Sequence, residues 1–221
     1  MMNITHHLSD ELLLDYSSGA LSETWSLAVA AHLSRCSYCS GTLRNLEEIG
    51  GALLTNSAPK SLSDDLFDNV LERLGDHGDR SLAHLEEDVC DAPDHGLPKV
   101  ILDYLPKDCT VLPWKKLGLG VSQIVLETKD KSATARLLKI PAGKKVPHHS
   151  HNGRELTVIF SGGFSDETGS YGPGDIQEVV GDLEHQPRVR EGEDCICLAV
   201  TEAPLKFSNA AVRLAQPLIG I

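Results

Sequence analysis

A chain of 221 residues, 41% apolar and 24% charged, has the balance of an ordinary globular protein and room for one large domain or two small ones. Its formal charge of −12 argues against direct nucleic-acid binding, which needs a basic face to displace counterions, and suits a partner that is itself basic. No apolar run approaches the ~18 residues of a membrane span, and MMNITHHLSD lacks the basic-then-apolar order of a signal peptide, so a cytoplasmic location is expected. Six cysteines in that compartment point to metal or redox chemistry rather than a disulfide frame.

The first 75 residues carry helical signals. SDELLLDYSSGAL opens on Ser9 as an N-cap and stops at Gly19. SETWSLAVAAHLSRC is expected to be capped by Ser22, with Trp25, Leu27, Ala28, Ala31 and His32 at helical spacing. SGTLRNLEEIGGALL continues the period with Leu43, Leu46, Ile49 and Leu53. SLSDDLFDNVLERL, capped by Ser61 or Ser63, places Leu66, Val70 and Leu74 at i, i+4, i+8. Four short amphipathic helices over residues 1–75 are expected to close a small core.

Between Gly75 and Lys99 the pattern dissolves into GDHGDRSLAHLEEDVCDAPDHGLPK, whose composition reads as an acidic, flexible linker over residues 76–99. Its His77, His84, His95 and Cys90 have no ligand spacing. From Val100 the period becomes two: VSQIVLET, SATARLLKI, ELTVIFSG, GDIQEVV, DCICLAVT and APLKFS read as strands, with SGGFSDETGSYGPGD as a turn-rich connection. Many short strands at such spacing predict an all-β sandwich or barrel over residues 100–221. The expected fold is therefore an α + β two-domain chain.

The run HLSRCSYC gathers His32, Cys36 and Cys39 at H-x3-C-x2-C spacing. On a continuous helix Cys36 and Cys39 lie about 40° and −20° from His32, all on one stripe. If the helix ends near Cys36, a tight turn folds Cys39 back to the same point. A fourth ligand must come from another element, and His6 and His7 are the nearby supply; the offset to His32 favours His7, with His6 the alternative. Two His and two Cys with no open position make a structural zinc site, suited to a domain too small to rest on its core alone. A redox pair, or two buried thiols, is the plainer reading of the Cys-x2-Cys taken without the histidines.

With these residues in place, the chain resembles the bacterial zinc-binding anti-sigma factors, whose helical N-terminal domain carries an upstream His followed by H-x3-C-x2-C. HHLSDELL, GALSE and GGALL are similar to the ChrR subgroup in particular. The resemblance implies that His7, His32, Cys36 and Cys39 hold Zn2+. It also implies that residues 1–75 bind an extracytoplasmic-function sigma factor and block its access to core RNA polymerase.

Residues 143–162, GKKVPHHSHNGRELTVIFSG, resemble the first cupin motif, with Gly143, His149, His151, Glu155 and Gly162 in register. Alternation along a strand turns His149 and His151 to one face and Ser150 away, and Glu155 on the next strand reaches the same centre. His148 is the alternative to His149. The later motif's histidine falls on His185, though GDLEHQPRV lacks the Pro and Asn usual around it. The resemblance implies a cupin barrel, a double-stranded β-helix. Three His and a carboxylate suit Zn2+ or another divalent transition metal, with room for an exogenous ligand. Cys195 and Cys197 share a strand face; small packing residues is the plainer reading, and sensing of an oxidant near the metal the sharper one.

Two functions follow. One, which the ChrR resemblance implies, is a regulator: an anti-sigma factor controlling transcription in response to oxidative stress, singlet oxygen or peroxide, sensed with the cupin domain. The alternative is a metal-dependent cupin enzyme, a dioxygenase or isomerase of a small organic molecule. The helical zinc module discriminates between them, being foreign to cupin enzymes, and the cupin strands show no evident substrate-anchoring cluster although Arg154 and Arg188 flank the ligands. A non-enzymatic regulator is expected.

Overall fold

The computed structural model describes residues 3–75, 96–106, 111–118 and 120–208. His77, His84, His95, Cys90 and most of the expected linker lie outside the described residues.

Helix α1, Asp10–Ser17, starts where Ser9 accepts a bond from the Leu12 amide at 3.4 Å. It ends in a tight left-handed stop: Gly19 sits at φ 72°, and the Gly19 and Ala20 amides donate to the Tyr16 and Asp15 carbonyls. Helix α2, Glu23–Leu33, corrects one expectation. Ser22 holds the N-cap position but makes no side-chain cap bond. Asp130, more than a hundred residues away, takes that part: its Oδ2 accepts from the Thr24 amide and hydroxyl, both at 2.8 Å. A side chain from the β half can dock there because the first-turn amides of a helix are unsatisfied. Ser34–Cys36 form a turn, and helix α3, Ser37–Thr55, begins on Cys36. Helix α4 spans Leu66–Gly75, and a short fifth helix, α5, Lys99–Leu102, buries Ile101.

The β half contains β1 Lys115–Gly118, β2 Val121–Leu126, β3 Thr134–Ile140, β4 His149–Ser150, β5 Arg154–Ser161, β6 Phe164–Asp166, β7 Gly169–Tyr171, β8 Ile176–Val180, β9 Arg188–Val189, β10 Cys195–Thr201 and β11 Lys206–Phe207. Its large sheet runs β1-β2-β3-β10-β5-β8, faced by the smaller sheets β7-β6-β9 and β11-β4. The piece SGGFSDETGSYGPGD, expected as a connection, holds the β6–β7 hairpin: Phe164 pairs with Tyr171, and Asp166 caps the turn by accepting from the Thr168 amide at 2.8 Å. Its Gly and Ser content hid two strands of three residues each. Gly162, the motif's last glycine, takes φ 66° with the Asp194 carbonyl where a Cβ would sit.

Strand β10 shows how the halves meet. All seven of its residues are buried, because both faces of the large sheet are covered. Cys195 and Cys197 join Ile140, Ile159, Phe164, Tyr171 and Val189 inside the barrel. Ile196, Leu198 and Val200 face the helices, in one continuous core with Leu12, Leu13, Trp25, Leu27, Val29 and Ile101. The helices accordingly do not close a core of their own, as the sequence had suggested. Helices α1, α2 and the start of α3 carry the buried positions, whereas α4 and the distal half of α3 are exposed on every side.

Two candidate metal centres

The first centre forms at the break between α2 and α3. His32 comes from the last turn of α2, Cys36 from the turn, and Cys39 from the first turn of α3, so the folded-back arrangement holds rather than one continuous helix. His7 arrives on the extended segment before α1, and one ligand-type atom from each of the four lies within 4.8 Å of all the others. His6 is not in the group; its Nδ1 faces Asp175 at 3.4 Å. His32 Nε2 is 3.3 Å from Cys39 Sγ, and His7 Nδ1 is 3.3 Å from Cys36 Sγ and 3.7 Å from Cys39 Sγ. A tetrahedron of two nitrogens at about 2.05 Å and two sulfurs at about 2.3 Å has N–S edges of about 3.5 Å, so the donors fit such an ion. Burial pushes the Cys39 thiol up to about 12 and His32 down to about 4. The Gly174 backbone beside His32 only partly offsets that burial, and the His32 Nδ1 makes no short hydrogen bond among the described residues.

The second centre sits inside the barrel. His149 and His151 flank Ser150 at β4, Glu155 lies at the start of β5, His185 precedes β9, and all four are buried. His148 is outside the group, exposed and 3.8 Å from Glu167. His185 Nε2 lies 2.9 Å from His151 Nε2 and 3.1 Å from His149 Nε2, and Glu155 Oε2 is 2.8 Å from His151 Nε2. The other ring nitrogens explain this crowding. His185 Nδ1 donates to Asp166 Oδ2 at 2.7 Å and His149 Nδ1 donates to the Pro147 carbonyl at 2.8 Å. Both rings therefore turn Nε2 lone pairs toward each other, an arrangement a cation between them would relieve. Ligands about 2.1 Å from one ion and at right angles are about 3.0 Å apart, as these are, which leaves other positions of an octahedron free. Burial lowers His149 to about 4. Burial works to raise Glu155, yet the bond and charge of His151, with His149 and His185, hold it below its usual range.

The supporting residues have no sequence motif. Asp166 is wholly buried; burial opposes its charge, but bonds from His185, Thr168 and Gln177 hold its carboxyl well below the usual range. Thr157 donates to Glu155 Oε1 at 3.1 Å. Strand alternation from Glu155 indicates Thr157, but Asp166 lay in the piece read as a turn. Arg154 and Arg188, flanking in sequence, do not enter the ligand group; Arg154 faces Glu178 and Glu11. Cys197 is raised well above the thiol range by its bond to Cys195, by burial and by the charge of Glu155, which makes it a weak nucleophile.

Residues 106–205 match the family model of the ChrR cupin-like domain. Over its whole length the chain is 42% identical to the anti-sigma-E factor ChrR of Cereibacter sphaeroides, covering all of both proteins. The chain belongs to the ChrR family of anti-sigma factors. Its fold is similar to the crystal structure of Rhodobacter sphaeroides SigE in complex with the anti-sigma ChrR, with a TM-score of 0.74 and 39% identity over 90% of this chain and 99% of that one. The full-length match spans both candidate centres, so a helical region ahead of a cupin-like domain is shared with that relative and is not a chance appendage. It favours the regulator over a cupin dioxygenase or isomerase. Among the described residues no helix is long and apolar enough to cross a membrane.

Proposed function

We propose that this protein binds and inhibits an extracytoplasmic-function sigma factor in the cytoplasm and releases it under oxidative stress. The observation that carries the reading is the full-length relationship to an anti-sigma factor whose relative was crystallised with SigE. Residues 1–75 form the inhibitory part in this reading, residues 76–99 a flexible linker, and residues 100–221 the sensor. Zn2+ at His7, His32, Cys36 and Cys39 would hold the start of the chain, the end of α2 and the start of α3 in register; with four protein donors it would have no chemistry beyond that. Zn2+ or another divalent transition metal at His149, His151, Glu155 and His185 would keep positions open for an oxidant or small molecule.

The surface left by the fold suits such a partner. Ile49, Leu53 and Leu54 on α3 and Phe67, Val70, Leu71 and Leu74 on α4 are exposed large apolar residues, which monomeric proteins rarely gather. Helices presenting apolar faces of this kind are a common docking mode, and the acidic chain complements a basic, DNA-binding partner. Tested by co-purification, the intact chain is expected to bring down a sigma factor stoichiometrically. A chain that purifies alone and turns over a small organic acid would favour the enzyme.

A further inference from the structure

The first centre does not stand on its helices alone. Ahead of His7, residues 4–6 lie on the turn Gly172–Asp175 that enters β8. Asp175, almost fully buried, accepts from the Thr5 amide at 2.7 Å and the His6 amide at 3.0 Å through Oδ1, and from the Gly172 amide at 2.9 Å through Oδ2. The Ile176 amide reaches back to the His6 carbonyl at 3.4 Å, and His6 packs on Tyr171 with ring centroids 4.3 Å apart. Gly174 takes φ 91°, and a Cβ there would meet Ile4 at 2.7 Å. The same turn reaches the opposite side of the centre. Ile159 exchanges backbone bonds with Gly174 and Asp175, and its neighbour Phe160 accepts at its carbonyl from Arg35, the residue just before Cys36, at 3.1 Å.

Two residues beyond Asp175 the chain touches the other centre. Gln177 Nε2 donates to Asp166 Oδ2 at 2.7 Å, and that oxygen accepts from His185 Nδ1. One three-residue stretch thus holds the segment carrying His7 at one end and the carboxylate orienting His185 at the other. Asp175 and Gln177 are themselves buried, where water competes less for their bonds.

We propose that Asp175–Gln177 couples the two centres, with Asp175 as a positioning residue for His7 and Gln177 the link to His185 through Asp166. Displacing His185 removes one of the two groups that bond Asp166 Oδ2, loosens the other, Gln177, with the entry to β8, and frees the Thr5 and His6 amides from Asp175. The first centre then loses the support that places His7. This inference rests on the reading that both centres hold metal, and it gives the sensor half a route to the inhibitory half.

The test uses the full chain loaded with cobalt(II), whose thiolate-to-cobalt absorption reports the two-cysteine centre alone. Decay of that absorption after adding a chelator measures how firmly His7 and its partners are held. Asp175→Ala, Gln177→Leu and His185→Ala are each expected to speed the decay about fivefold or more, the scale of a modest coupling between sites. Asp175→Asn, which keeps an oxygen for both amides, is expected to restore most of the wild-type rate. The double variant His185→Ala/Asp175→Ala should decay no faster than Asp175→Ala alone, since both changes break one route. Effects that multiply, or a wild-type rate in His185→Ala, would overturn the coupling while leaving the first centre's assignment intact. A wild-type protein without thiolate–cobalt absorption would overturn that assignment and the coupling together.

Discussion

The two centres are built from different materials and teach different lessons about what a cluster of ligands is for. The helical one gathers two sulfurs and two nitrogens at a break between helices, with donors from three separate pieces of chain and no position to spare. The barrel one gathers three imidazoles and a carboxylate on a sheet that is already packed on both faces. An ion at the first would tie those three pieces together, whereas the barrel keeps its two core clusters whether or not the second is filled. On the proposed reading the first serves architecture and the second response.

Substitutions at the eight clustered residues should separate the two centres most strongly. Cys36→Ser or His32→Ala is expected to abolish metal binding at the first centre. Structural zinc contributes on the order of 10 kcal/mol against a total stability of about 5–15 kcal/mol, so the inhibitory region should unfold. A reporter driven by the sigma factor's own promoter should then be on without oxidant. His149→Ala or His151→Ala should lower metal content by one ion per chain, keep inhibition, and blunt the oxidant response in the same reporter. Were the barrel variants to release the sigma factor as the cysteine variants do, the division between architecture and response would fail.

A smaller effect separates the docking face from both centres. Phe67→Ala on the exposed face of α4 should weaken sigma-factor binding by about 2 kcal/mol, roughly thirtyfold, the scale of an aromatic anchor. Metal content and melting temperature should not change, and calorimetric titration checks this directly.

The smallest effect concerns the seam between the halves. Asp130→Ala removes the bonds to the first turn of α2 and should cost about 1 kcal/mol, read from the urea midpoint at neutral pH. Burial opposes the Asp130 charge, but bonds from Ser132 and Thr24 outweigh it and hold the carboxyl well below its usual range. A depressed carboxylate stabilises the fold above its unfolded value of about 3.9, and that gain is lost as pH falls through the folded value. Wild type and Asp130→Ala should therefore converge in strong acid and differ most above pH 5.

Much of this contrast was legible in the chain. The H-x3-C-x2-C spacing with His7 upstream, and Gly143 to Gly162 with His185, name the residues that the fold brings together. Local spacing carries most of each group, since His32, Cys36 and Cys39 share one break between helices and His149, His151 and Glu155 adjoin β4 and β5, while His7 and His185 come from elsewhere. The seam was not legible, because its partners are far apart in sequence: Asp130 capping α2, and Asp175 holding the Thr5 and His6 amides. One signal was available. CICLAVT does not alternate apolar with polar, and a strand of that kind is covered on both faces, here by the barrel interior and by helices. Asp166 had no such signal, since Ser, Gly and Thr around it read as turn before they read as a hairpin.

Inhibition of a sigma factor is open to direct test by transcription in vitro. The full chain would be mixed with the sigma factor that co-purifies with it, then with core RNA polymerase and that sigma factor's promoter. A stoichiometric complex and loss of transcription at one inhibitor per sigma factor are expected. Full transcription in the presence of excess, folded, metal-loaded protein would contradict it.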